Sequence, residues 1–175
     1  MPRYVVFFRA LNVGGRVVKM EALREMLAMP GFKNIKTYIQ SGNAAFDHAG
    51  AEKSVIINKL ENKLQKELGY EVKSLVYTKE ELQAIIDNNP FQEIDEDVSL
   101  YVTFLAHTPD KVLAAELLAM QTPQEQFRIS GAELYITVKK GTYGETKFSN
   151  NFIERKLKLA ATTRNWATTN KMMEL

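Results

Sequence analysis

Length, composition and charge narrow the class of protein. The 175 residues suffice for one domain or two small joined ones, and a chain of this size folds without staples. Cysteine is absent, which excludes disulfides and thiolate chemistry and favours a cytoplasmic, bacterial-type protein. A net charge of +2 is too small by itself to indicate nucleic-acid binding. With no long apolar run, we expect neither a membrane span nor a secretory leader.

The first 77 residues predict a βαββαβ unit, the ferredoxin-like order. The buried run YVVFFRA predicts a strand, and a short helix carrying Leu23 and Leu27 follows it. Two strands flank the turn at 40–43, which has typical hairpin residues. Apolar residues at every fourth position from Ile56 to Leu68 then predict an amphipathic helix, and a strand at 72–77 completes the unit.

Residues 78–97 predict a helix and an acidic connector, with Thr78 and Glu81 as a capping box. Residues 98–175 repeat the first pattern weakly. LYVTFLA matches YVVFFRA, Thr108 and Pro109 suit the start of a helix, and Ser130-Gly131 matches Ser41-Gly42. A further helix from about Asn150 and a terminal helix after Asn165 follow. The sequence therefore predicts an α+β fold of two related ferredoxin-like halves, 1–77 and 98–175, with an extra C-terminal helix.

Polar residues interrupt the pattern where strands end, and they are the candidate ligand-binding residues. They share hydrogen-bond donors or positive charge, and almost no acid lies among them. The set comprises Arg9, Asn12, Gly14, Gly15, Lys19, Tyr38, Gln40, Ser41, Asn43, Lys147, Arg164 and Asn165. Such a set suits a small phosphorylated or otherwise anionic molecule, with the amides reading a planar polar group.

A plain structural interpretation competes with this one. If Ser130-Gly131 merely turns a hairpin, Ser41-Gly42 needs no further role, whereas Gln40 and Asn43 have no polar counterparts in the repeat. Lys147 lies just before a helix N-terminus, which favours anions, although the spacing does not match a Walker loop. We expect Arg9, Lys147 and Arg164 to meet around one anion-binding cleft.

The sequence gives little support for a metal site or for nucleophilic catalysis. His48 and His107 lie in separate halves without metal-ligand spacing, and we expect both to be solvated loop residues, so no metal or cofactor is predicted. Neither histidine lies near a serine in a nucleophile motif. The sequence therefore leaves open whether any reaction is catalysed.

The motifs RALNVGG, TYIQSGN, ETKFSNN, IERKL and ATTRNW together resemble an uncharacterised bacterial family, domain of unknown function 1697. The likeness spans nearly the whole chain. In that family the position of Ala10 is commonly glycine or alanine. The resemblance implies a fold of two ferredoxin-like halves and brings no established activity or cofactor.

Two alternatives from other classes stay open. A ferredoxin-like sheet can bind RNA by stacking bases on strand aromatics, for which the candidates are Tyr4, Phe8, Tyr38, Tyr101 and Tyr135. No RNP-like motif accompanies them. The other alternative is a non-catalytic structural or interaction protein, in which the polar loops are turns alone.

Overall fold

The computed structural model describes residues 1–50, 52–142 and 148–175, and it shows an α+β fold with two similar halves. The first half contains β1 (Arg3–Arg9), α1 (Met20–Leu27), β2 (Phe32–Tyr38), β3 (Asn43–His48), α2 (Lys53–Leu68) and β4 (Lys73–Thr78). After α3 (Lys79–Asp87), the second contains β5 (Val98–Leu105), α4 (Lys111–Leu118), β6 (Glu125–Ser130), β7 (Glu133–Lys139), α5 (Asn150–Leu157) and β8 (Ala161–Asn165). Helix α6 (Trp166–Lys171) follows. The βαββαβ order predicted for the first half is confirmed.

Each half has one four-stranded antiparallel sheet. The strand order is β2-β3-β1-β4 in the first and β6-β7-β5-β8 in the second, so the two halves have equivalent connectivity. The chain forms two compact units, Met1–Ala84 with Lys171–Leu175, and Ile85–Asn170. The last five residues thus return to the first unit.

The core of the first unit lies between its sheet and helices α1 and α2. Alternate residues of β1, among them Val6 and Phe8, pack in one cluster with Leu23 of α1 and Leu60 and Leu64 of α2. The intervening Val5 and Phe7 are buried as well, which agrees with the continuous apolar run of this strand. Helix α2 ends at Gly69, whose left-handed backbone lets its N–H bond Gln65 O at 2.9 Å.

The capping residues in the sequence predict the start of α3 correctly and the start of α4 incorrectly. Thr78 Oγ1 accepts from Glu81 N at 3.2 Å and Glu81 Oε2 accepts from Thr78 N at 2.8 Å, which confirms the capping box. The predicted cap at Thr108 is wrong. Asp110 caps α4 instead, accepting from Val112 N and Leu113 N, because an ionised carboxylate is a stronger acceptor at a helix N-terminus.

The second unit has a similar core. Leu105, Leu134 and Ile136 of its sheet pack with Ile153 and Leu157 of α5. Its fourth strand, β8, is not predicted from the sequence, although the threonines before Arg164 are a β-branched signal. No helix in the part of the chain that the structure describes has the length and hydropathy to cross a bilayer.

Candidate functional site

Two neighbouring loops of the first unit carry most of the predicted site residues. We call them the paired loops: residues 10–19, between β1 and α1, and residues 39–42, between β2 and β3. Asn12 Nδ2 donates to Gln40 O, and Phe8 N donates to Gly42 O at 2.9 Å. A Cβ on Gly42 would lie 2.9 Å from Leu11 Cδ2, and the φ of 85° at this residue is one that L-residues rarely adopt, so glycine is favoured here.

The side chain of Asn12 makes hydrogen bonds within the longer loop and to the shorter one. Its Oδ1 accepts from Val18 N at 2.5 Å while its amide group donates to the other loop. Tyr70 Oη donates to Leu11 O at 2.7 Å, and the Arg16 guanidinium lies 4.1 Å from the centre of the Tyr70 ring. Asn12 is therefore a positioning residue for the loops, and its predicted part in ligand binding stays untested.

The paired loops hold unusual backbone conformations. Ala10 has φ 66° and Ile39 has φ 46°, the left-handed region that residues with a Cβ rarely adopt. A β-branched residue such as Ile39 is costlier, and outliers of this kind concentrate at functional sites. Gly14 and Gly15 also have positive φ, with open space around them.

The paired loops carry positively charged side chains and no acidic ones. Arg16 and Lys19 are exposed, and neither makes an ion pair with any described residue. No acid occurs between residues 9 and 20 or between 38 and 43. Lys19 occupies the N-cap position of α1 without a capping side-chain bond. The first-turn amides of α1 thus have no side-chain acceptor at their cap.

Arg16 was left out of the predicted set. Its place between Gly15 and Lys19 in an acid-free loop was the available signal. The exposed Val13, Val17 and Ile39 give the same surface an apolar part.

Asn43 lies inside the hairpin turn, and its predicted part in ligand binding stays a prediction. The residue is fully buried, and its Nδ2 donates to Tyr38 O at 2.9 Å and Ser41 Oγ at 3.0 Å. These bonds span the turn, so Asn43 holds the hairpin. Four residues separate the paired Tyr38 and Asn43, whereas two separate Ser130 and Glu133 in the other hairpin. The turns of the two halves are therefore not equivalent, because their loop lengths differ.

Arg9 ends β1 on the sheet face away from Val6 and Phe8. In the register of the sheet it lies opposite Lys73, while Phe7 lies opposite Asn43. Because opposed residues share a face, Arg9 and Asn43 project from the same side of the sheet. Arg9 is half-buried there.

Arg164 and Asn165, two predicted ligand-binding residues near the C-terminus, lie in the second unit. Arg164 is 5% exposed on β8, and its Nη1 donates to Thr162 Oγ1 at 2.7 Å and Thr163 O at 2.9 Å. Burial lowers the pKa of Arg164 to about 10, so it stays charged at neutral pH. Asn165 Oδ1 accepts from Thr168 N at 2.7 Å and so caps α6. Lys147 lies outside the described residues. The shared cleft of Arg9, Lys147 and Arg164 stays a prediction.

The two histidines and the strand aromatics belong to the alternative functions, a metal site and an RNA-binding sheet. His107 is exposed as expected, but the prediction for His48 is wrong, because its ring is buried against Phe32 at a centroid distance of 5.0 Å. No group of three metal-ligating side chains occurs among the described residues. Tyr4 and Phe8 are buried in the helix-facing core. Tyr135 is buried as well, with its hydroxyl donating to Ile85 O at 2.6 Å. These three rings cannot stack on a base without unpacking.

The fold and loops define a protein of two βαββαβ halves with a cationic, acid-poor loop pair on the first. The chain belongs to the family described as "Protein of unknown function (DUF1697)", whose model matches residues 1–135. The conserved bacterial protein SP0830 from Streptococcus pneumoniae has a similar solved structure. The TM-score is 0.80 at 21% identity, covering 99% of this chain and 97% of that one. At this identity the likeness shows the fold alone. A comparison with curated proteins finds no match.

Proposed function

We propose that this protein binds a small anionic ligand, a phosphorylated or carboxylated molecule, at the paired loops of its first unit. The proposal rests on one observation: these loops carry positively charged residues and no acidic residue. Arg16, which follows Gly15, and Lys19 are both exposed, and no acid balances them within the loops. Two cations in one loop, neither ion-paired with a described residue, repel each other in the empty protein, and an anion relieves that repulsion.

Backbone groups add to the attraction. The amides of the first turn of α1 are not capped by a side chain, and such amides favour a phosphate or carboxylate. Gly14 and Gly15 lack side chains that would keep a ligand from the chain. Glu21, the first acid of α1, lies 3.7 Å from Arg24 and is thereby partly neutralised.

The same loops favour a ligand with an apolar portion. Val13 is 50% exposed and Val17 67% in the loop that carries Arg16 and Lys19, and Ile39 is 43% exposed in the other loop. A ligand that covers these side chains gains roughly 25 cal/mol for each Å² of apolar surface removed from water. We therefore expect an organic phosphate or carboxylate to bind more tightly than the inorganic ion.

Calorimetric titration with phenyl phosphate and inorganic phosphate, at constant ionic strength, tests the proposal. The double variant Arg16→Gln/Lys19→Gln is the test, and Lys33→Gln/Lys66→Gln, with the same loss of charge at exposed positions, is the control. We expect the loop variant to lose at least tenfold in affinity and the control to bind like the wild type. Equal losses in both variants would mean non-specific charge attraction, and absence of binding in the wild type would refute the proposal.

A further inference from the structure

The ends of the paired loops combine exposed aliphatic side chains with positive charge. We call residues 13–17 and 39–41, all of which are exposed, the loop tips. Of the seven large apolar side chains that are strongly exposed in the described part of the chain, three lie in these tips, namely Val13, Val17 and Ile39. A single exposed apolar residue is ordinary, but a group of them beside cations marks an interaction surface.

One set of hydrogen bonds brings the three aliphatic residues together. Asn12 Nδ2 donates to Gln40 O, and Asn12 Oδ1 accepts from Val18 N. Each of the three aliphatic residues is the immediate chain neighbour of one of these bonded residues. The two tips therefore belong to one surface of the first unit, although they come from different parts of the chain.

The backbone gives further support for a partner at the tips. A Cβ added at Gly14 or Gly15 would meet nothing within 4 Å, so the longer tip projects into open space. Ile39 holds a left-handed conformation, with φ 46°, while its side chain is largely exposed. Burial therefore offsets little of the backbone strain, and strain of this kind concentrates at sites that contact a ligand or partner.

Charge and size indicate which partner fits. Arg16 and Lys19 make no ion pair with a described residue, and no acid occurs within the paired loops. An anionic lipid surface offers phosphates to such cations and an acyl boundary to aliphatic side chains. A protein partner fits less well, because a specific protein interface takes roughly 20–30 residues a side and favours aromatic anchors. The tips comprise five and three residues, none of them aromatic.

We propose that the paired loops dock this protein on an anionic lipid surface. Val13, Val17 and Ile39 enter the boundary between headgroups and acyl chains, and Arg16 and Lys19 hold lipid phosphates. This inference rests on the proposed function, because it names a lipid headgroup as the source of the anion that the loops bind. Salt screens the cationic part of the attraction and leaves the aliphatic part, so binding weakens with ionic strength.

Co-sedimentation with vesicles tests the proposal on the wild-type protein. One set of vesicles contains phosphatidylcholine alone, and the other is an equimolar mixture of phosphatidylcholine and phosphatidylglycerol. We expect at least tenfold tighter binding to the mixture, since each Lys or Arg near an anionic surface contributes severalfold in affinity. Equal binding to both vesicles, or no binding to the mixture at low salt, overturns the proposal.

A matched pair of double variants tests the aliphatic contribution. Val17→Asn/Ile39→Asn keeps the charges of the tips. The control is Val112→Asn/Val55→Asn on two helices, because Val112 is 65% exposed against 67% for Val17, and Val55 and Ile39 are both 43% exposed. We expect the tip variant to lose at least tenfold in affinity for the mixed vesicles and the control to bind like the wild type. A tip variant that binds like the wild type refutes the insertion of these side chains.

Soluble anions separate this inference from the proposed function. By calorimetry, Val17→Asn/Ile39→Asn should bind inorganic phosphate like the wild type, whereas Arg16→Gln/Lys19→Gln should lose both phosphate and vesicles. A wild type that binds phenyl phosphate but not the mixed vesicles keeps the proposed function and refutes the lipid, which would assign the tips to a soluble or protein-borne anion. A loss of vesicle binding as large in Lys33→Gln/Lys66→Gln would mean non-specific attraction and would also refute it. Should Val17→Asn/Ile39→Asn fail to fold, as judged by thermal melting, the comparison of the two charge variants decides.

Discussion

At the residue scale, burial separates two neighbouring amides of the hairpin. Asn43 is fully buried and bridges the turn, whereas Gln40 is exposed. Asn43→Ala removes two hydrogen bonds and leaves Tyr38 O without this donor, so we expect a loss of about 1–3 kcal/mol in the free energy of unfolding. Gln40→Ala should stay within about 0.5 kcal/mol of the wild type. Urea denaturation of both variants measures the difference. Similar values for the two would show that the amide of Asn43 does not hold the turn.

His48 makes stability depend on pH. Burial is the main cause that lowers the pKa of its imidazole, and the charge of Lys59 adds to the effect. Its Nδ1 has no hydrogen-bond partner among the described residues. The unfolded chain therefore binds a proton more readily than the folded one. Stability is undiminished above the unfolded pKa of about 6.5 and falls as the pH drops below it.

The measurement is urea denaturation at pH 7.5 and pH 5.5. We expect the wild type to lose stability at the lower pH, and His48→Phe, which keeps an aromatic ring but cannot titrate, to lose less. His107→Gln is the control, because His107 is exposed. A decline in His48→Phe as large as that of the wild type would assign the pH dependence to other groups.

At the scale of elements, helix α2 is attached to the sheet by one row of side chains. Ile56, Leu60 and Leu64 recur at every fourth position and are completely buried. Leu64→Ala leaves a cavity in this row, and we expect a loss of about 2–5 kcal/mol. Val55→Ala on the same helix is the control, since Val55 is 43% exposed. Denaturation curves that place both variants within about 0.5 kcal/mol of the wild type would contradict the packing of this helix face.

The turn between β2 and β3 stores backbone strain. Ile39 is β-branched, exposed and at φ 46°, a conformation that costs an L-residue roughly 1–2 kcal/mol. Asparagine tolerates this region, so Ile39→Asn should raise the free energy of unfolding by about 1 kcal/mol. Val17→Asn, at an exposed loop residue without positive φ, should have little effect. Thermal and urea unfolding of the pair decide the matter, and a destabilised Ile39→Asn would mean that the apolar side chain contributes more than the strain costs.

At the scale of the whole molecule, periodicity predicted the fold better than the site. The apolar spacing of α2 and the continuous run of β1 are local patterns, so the βαββαβ order could be read from them. The burial of His48 and the turn-spanning bonds of Asn43 depend on partners elsewhere in the chain. No local pattern encodes such partners, and these residues resemble solvated loop positions in the sequence alone.

The C-terminal residues 171–175 belong to the first unit, and this too depends on contacts between distant parts of the chain. Lys79 Nζ donates to Met172 O at 3.0 Å and to Met173 O at 2.5 Å, and Arg3 Nε donates to Leu175 O at 2.7 Å. Residues separated by more than ninety positions are thereby joined. The segment follows the second unit in the chain but belongs structurally to the first.

Met172 is completely buried in this segment, and its truncation tests the attachment. We expect Met172→Ala to cost about 2–5 kcal/mol, as for other buried side chains reduced to alanine. Because residues 171–175 belong to the first unit, amide hydrogen exchange should accelerate in β1 and β4 more than in β5 and β7. Met120→Ala, at a methionine that is 37% exposed in the second unit, is the control and should change neither set. Faster exchange confined to β5 and β7 would show that the segment stabilises the second unit instead, and the assignment of residues 171–175 to the first unit would then be wrong.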